Sequence, residues 1–110
     1  MKLPNADRAV IDQRKLREYL LSDSHPVGRF KARYFRSVGF SAAHWQALEA
    51  SLRALATEAS AEKTGSTDFG QKYMISGILT ASSGTTSEVV TVWIIHFGDD
   101  RPHLVTVYPR

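Results

Sequence analysis

The residues with the most chemical potential lie in His25-Pro-Val-Gly-Arg-Phe-Lys-Ala-Arg-Tyr-Phe-Arg-Ser-Val-Gly-Phe40. On a helical wheel with Phe30 at 0°, Tyr34, Val38 and Phe35 fall at about 40°, 80° and 140°. Lys31 falls at about 100°, inside that apolar arc, while Arg29, Arg33 and Arg36 share the opposite face. A lysine on the core side must snorkel outward, meet a buried anion or line a cleft. His25 precedes Pro26, which holds its backbone extended. A neutral imidazole there would serve as a general base, with Lys31 or an arginine stabilising a phosphorane-like oxyanion. Cleaving RNA without a metal needs a group to take the 2′-hydroxyl proton, an acid, and cations around the phosphate. Tyr73 and Tyr108 are the candidate acids. The plainer alternative makes His25 a helix N-terminal residue bonded to a loop carbonyl.

The remaining chemistry is thinner. His44, His96 and His103 are scattered singly, and no pair has metal-ligand spacing, so no metal site is expected. His44 reads as surface, His103 as an exposed strand start and His96 as a satisfied core histidine. Asp99 and Asp100 are adjacent and read as turn-formers. The chain has no Gly-rich phosphate loop, no nucleophile elbow and no cysteine, which excludes covalent acyl chemistry, nucleotide-dependent transfer and any disulfide framework. No cofactor is expected.

Charge is distributed unevenly. Residues 1–36 hold nine Lys/Arg against four Asp/Glu, and residues 37–110 hold five against seven. A basic half of this kind attracts phosphates or an acidic partner, although two solvated helices would explain it equally well. With 110 residues, a 43% hydrophobic content and no long apolar run, the chain reads as one soluble domain, cytoplasmic or cut from a longer toxin, with no membrane partner.

These residues need elements to position them. Asp12 caps a helix over about 13–22, stapled by Ile11 and Leu16. Asp23-Ser-His-Pro-Val-Gly28 breaks it, a second helix runs over about 27–38, and Gly39 ends that helix. Ser41 opens a third helix, in which Trp45, Leu48, Leu52 and Leu55 form a core stripe. Residues 60–68 read as a polar loop. From Phe69 the period changes to two, giving strands over 71–80, 88–97 and 103–108 with short turns between them. The expected fold is therefore α+β. Three N-terminal helices (1–59) pack on one face of a C-terminal antiparallel β-meander of three or more strands (69–108), all within one domain, 1–110.

Alternation sorts the strand residues into two sets. Met74, Ile78, Val90, Val92, Ile94, Val105 and Val107 are almost wholly aliphatic and are expected against the helices. Gln71, Tyr73, Ile75, Thr91, Trp93, Ile95, Thr106 and Tyr108 interleave aromatics with hydroxyls. Near a basic helix, such a face suits RNA, whose bases stack on aromatic rings. Burial against another segment or chain is the competing reading, and a β-bulge would swap part of the assignment.

Three segments carry a resemblance. They are Leu3-Pro-Asn-Ala-Asp7 with Lys15-Leu16 and Tyr19-Leu20-Leu21; His25-Pro-Val-Gly28 with Lys31-Ala32, Phe35 and Gly39-Phe40; and Gly70-Gln-Lys-Tyr73 with Val90-Thr-Val-Trp93 and Leu104-Val-Thr-Val-Tyr108. In this order they resemble a small bacterial domain family of unknown function that also occurs as the C-terminal module of polymorphic toxins. That family is similar to the helices-then-sheet toxin ribonucleases of the barnase, colicin and RelE type. The resemblance implies a metal-independent RNA endonuclease, with His25, Lys31, Gln71, Tyr73, Thr91 and Trp93 at motif positions. The resulting expectation is His25, Lys31 and Tyr73 as catalytic residues, with Arg29, Gln71, Thr91, Trp93 and Tyr108 binding substrate. RNA and a small, adjacently encoded neutralising protein are the expected partners. The alternative is a non-catalytic module of the immunity or antitoxin kind, binding a small protein through the basic helix and the Tyr/Trp face.

Overall fold

The carboxylate of Asp12 accepts a hydrogen bond from Arg14 N at 2.9 Å and so caps the first helix. The computed structural model describes residues 1–22, 24–26 and 28–110. Asp23 and Val27, assigned from sequence to the helix break and to the start of the second helix, lie outside the described residues. The first helix, α1 (Gln13–Lys15), widens at once into a π-helical turn over Leu16–Leu20. Leu21 N closes that turn on Leu16 O at 2.9 Å, and Leu16 and Leu20 are buried on its inner side. Helix α2 (Gly28–Val38) ends as expected at Gly39. Its φ is +112°, and Phe40 N reaches back to Phe35 O at 2.9 Å. A 3₁₀ turn, Ala42–His44, leads into α3 (Trp45–Glu58), which buries Leu48, Leu52 and Leu55.

Four strands follow: β1 (Ala61–Ser66), β2 (Gly70–Thr80), β3 (Thr86–His96) and β4 (His103–Pro109). They form an antiparallel meander in the order β1-β2-β3-β4. The expected α+β architecture is present, with the first helix shorter than expected and largely π-helical. Strand β1 falls where the sequence suggested a polar loop. Only Ala61 of it is buried, so it shows no alternation to read, and exposed Glu62 and Lys63 suit an edge strand.

On β2 and β3 the two sheet faces are the reverse of the sequence expectation, while Val107 of β4 is buried as expected. Tyr73, Ile75, Leu79, Val89, Thr91 and Trp93 form the face packed in the core with Phe35, Leu48, Leu52 and Leu55. Met74, Ile78, Val90, Val92 and Ile94 lie on the other face, where Ile78 is 59% exposed but Val90 and Ile94 are buried. Lys72, Ser76 and Glu88 explain the choice, because they alternate in phase with the aliphatic set and burying that face would desolvate them. On β4 a register shift beside Val92 and Trp93 changes the phase. Val107 lies opposite Thr91 in the core, and Thr106 and Tyr108 lie opposite Val92 and Val90.

The N-terminal segment braces the end of the sheet. Val10 N donates to Pro102 O at 2.8 Å, Leu104 N donates to Val10 O at 3.0 Å, and Arg8 pairs with Asp100 at 2.7 Å. Among the described residues no helix is long and apolar enough to cross a membrane.

Candidate functional site

Gly28 decides where α2 begins. A Cβ there would meet Tyr19 O at 2.1 Å, so only glycine lets the helix start against the π-helical turn. That approach sets His25 edge-on to Tyr19, with ring centroids 4.8 Å apart, and brings Lys31 Nζ to 5.4 Å from the same ring. Tyr19 therefore touches both the imidazole and the ammonium. Lys31 also donates to the hydroxyl of Thr106 on β4.

The wheel placed Lys31 on the inner side of α2, and there it lies. Gly28, Ala32, Phe35 and Val38 are buried, so the true core direction is rotated away from Phe30, which is 59% exposed. Burial lowers the pKa of Lys31, and the nearby charge of Lys15 lowers it further. Lys15 donates to Val105 O at 2.9 Å, a part-buried contact. Among the described residues neither ammonium forms an ion pair with a carboxylate, so two partly desolvated cations face one region. The Asp12 carboxyl at its margin is held below its ordinary range, first by the backbone N–H of Arg14 and then by the Arg14 side chain.

His25 is not arranged as a base. Its Nδ1 accepts the backbone N–H of Gly28 at 2.9 Å, which commits that lone pair to the helix and places the neutral ring's hydrogen on Nε2.

The other expected site residues lie elsewhere. Tyr73, Thr91 and Trp93 are core residues, 5%, 0% and 0% exposed, and no RNA platform exists on their face. Trp93 Nε1 donates to Thr91 Oγ1 at 2.8 Å, and Thr91 donates to Ile75 O at 3.2 Å. Gln71 Nε2 donates to Gly65 O at 2.9 Å, tying down the β1–β2 irregularity. Arg29 is exposed, its guanidinium 4.9 Å from the Phe30 ring. Tyr108 is on the outer sheet face, opposite Val90.

A second group of polar residues adjoins the first. Asp12 and Lys15 line the hollow that holds Tyr19 and His25, and they also line a hollow containing Ile94, His96, His103 and Val105. The β3–β4 turn builds this second wall. His96 O accepts from Asp99 N at 3.0 Å, and Gly98 supplies the positive φ of +85° that the tight reversal requires. The turn brings His96 and His103 to a ring-centroid distance of 5.2 Å. His103 Nε2 is 3.1 Å from Asp99 Oδ2. The Asp99 carboxyl lies well below its ordinary pKa, held first by the backbone N–H of Arg101, then by the Arg101 side chain and by His103. An ionised Asp99 fixes the His103 hydrogen on Nε2 and leaves Nδ1 as the basic nitrogen. Among the described residues, no group of three or more His, Cys, Asp or Glu is placed to hold a metal ion.

Sequence reasoning gave no site role to Lys15, Tyr19 and Thr106, and set Asp99, His96 and His103 aside as a turn-former, a core histidine and an exposed strand start. The available signal for the second trio was the short hairpin itself, which keeps the two histidines flanking it close together.

A family model described as a domain of unknown function, DUF6883, matches residues 2–110. No curated protein matches the chain, and no solved structure matches it.

Proposed function

This chain belongs to the DUF6883 family, and from that premise we propose that it is a toxin-like, metal-independent RNA endonuclease whose substrate backbone lies against Lys15 and Lys31. The carrying observation is the pair of partly buried ammonium groups with no carboxylate within ion-pair distance among the described residues, Asp12 acting on Lys15 only from further away. Two like charges near each other and partly shielded from water oppose folding, and an arriving phosphate relieves the repulsion. Thr106 holds Lys31 in place. RNA carries its own nucleophile, the 2′-hydroxyl, so no cofactor is needed.

The test is incubation of the folded chain with total RNA in excess chelator. Discrete fragments ending in 2′,3′-cyclic phosphate are expected, and intact RNA overturns the activity. Binding is measured separately on a 2′-O-methyl oligonucleotide that cannot be cleaved. Lys31→Met should weaken binding and reduce the slope of log affinity against log salt by about 0.7, the value for one phosphate contact on a single strand. An unchanged slope removes Lys31 from the interface.

A second reading is favoured by the apolar side chains exposed on the outer sheet face, Ile78 at 59% and Tyr108 at 37%. In this reading the chain is an interaction module that docks a small adjacently encoded protein, with no reaction of its own. Co-purification of such a partner with a chain inert toward RNA would support it over the enzyme.

A further inference from the structure

The ribonuclease reading leaves a gap, because the lone pair of His25 is committed to Gly28 and the Tyr73 ring is buried in the core. We infer that the proton-transferring pair is His103 and His96, with Asp99 as a positioning residue and Lys15 joining this pair to the phosphate-binding lysines. The inference rests on the proposed RNA cleavage and specifies its chemistry.

Three observations support the assignment. The two rings are 5.2 Å apart between centroids and tilted at 51°, one on each side of a hairpin, so they touch and together line the open hollow in which a phosphodiester can lie across their edges. Their surroundings differ. His103 is half-buried and its Nε2 hydrogen points to Asp99 Oδ2, so Nδ1 is free to accept a proton. His96 is exposed at the end of β3 and has no carboxylate partner among the described residues. Asp99 fixes the tautomer that leaves His103 Nδ1 as an acceptor, the arrangement a general base needs, and His96 is the second proton-carrying group beside it. Lastly, Lys15 lines the hollow that holds both rings, which places an ammonium beside the phosphate they would act on.

The step balances without a further reactant. His103 Nδ1 takes the proton of the 2′-hydroxyl, and O2′ attacks phosphorus in line. The P–O5′ bond breaks, its electron pair stays on O5′, and His96 as imidazolium supplies that oxygen's proton. The products are a 2′,3′-cyclic phosphate and a free 5′-hydroxyl, and exchange with water restores both rings. Two highly exposed phenylalanines, Phe69 and Phe97, are joined by a backbone hydrogen bond of 2.9 Å beside His96. They offer rings on which the bases flanking the cleaved bond can stack.

The test uses the full chain and two substrates, an ordinary oligoribonucleotide and one with sulfur replacing the bridging 5′-oxygen. A 5′-thiolate leaves without a proton, so the second substrate does not need the acid. His103→Ala should lower cleavage of both by at least about 100-fold, the usual worth of a general base. His96→Ala should lower cleavage of the oxygen substrate by a similar factor and leave the sulfur substrate within a few-fold of wild type. Asp99→Asn should lower kcat with little change in KM, and added imidazole should restore part of the His103→Ala activity. All three variants should bind the 2′-O-methyl oligonucleotide as wild type does, which reports folding and the lysine interface together. Full activity in both histidine variants overturns the assignment while leaving the ribonuclease reading intact. A wild-type chain that binds RNA without cleaving it overturns both.

Discussion

Replacing Thr91 with valine tests the sheet inversion at its most sensitive point. Thr91 is 0% exposed, and its hydroxyl does two things at once, accepting from Trp93 Nε1 at 2.8 Å and donating to Ile75 O at 3.2 Å. Valine has nearly the same shape, so the Thr91→Val chain has no new cavity. It does leave the indole N–H without a partner among fully buried neighbours, at a cost of about 1–3 kcal/mol. For a domain of this size each kcal/mol moves the melting temperature by about 4 °C, which gives an expected fall of about 4–12 °C. The assay is far-ultraviolet circular dichroism on heating at fixed pH, paired with RNA binding measured well below the transition. Affinity should be unchanged, because neither Thr91 nor Trp93 can reach a ligand from the core. A melting temperature within about 1 °C of wild type, together with weakened RNA binding, would show the hydroxyl on an outward recognition face and refute the inversion.

Two further outcomes follow from the geometry of the site. Gly28→Ala should destabilise the chain by about 1–3 kcal/mol, since the added methyl meets the Tyr19 backbone rather than a movable side-chain end; a chain that melts like wild type would mean that α2 does not start against that turn. Acid titration of stability should reveal Asp99. Its pKa is depressed in the folded chain below the ordinary 3.8, so its contribution is fully present above about pH 4 and is lost as the pH falls below that value. The difference in melting temperature between wild type and Asp99→Asn should therefore shrink on going from pH 6 to pH 2, as followed by calorimetry, and a constant difference would contradict the network of bonds at that carboxylate.

Much of the architecture could be read directly from local pattern. The staple at Ile11 and Leu16, the stop at Gly39, the stripe Trp45-Leu48-Leu52-Leu55 and the alternation after Phe69 each state an element in a form that depends only on neighbours a few residues away. The orientation of Lys31 belongs to the same class, because a helix fixes the relative directions of its own side chains. Strand β1 escaped because an exposed edge strand has no buried face and therefore no period to detect.

What the tertiary structure alone decided is which faces and which histidines matter. Alternation divides a strand into two sets but does not say which is inside. That choice depended on where Lys72, Ser76 and Glu88 would otherwise be buried, and on a bulge that shifts β4 by one residue. His25 has the spacing of a catalytic residue, yet the first turn of α2 takes up its basic nitrogen. His96 and His103 show no motif spacing, yet a hairpin brings their rings to 5.2 Å with Asp99 bonded to one of them. The sequence by itself determines periodicities within an element; contacts between residues on different strands, or between a helix and a sheet edge, exist only once the chain has chosen its register and closed its core.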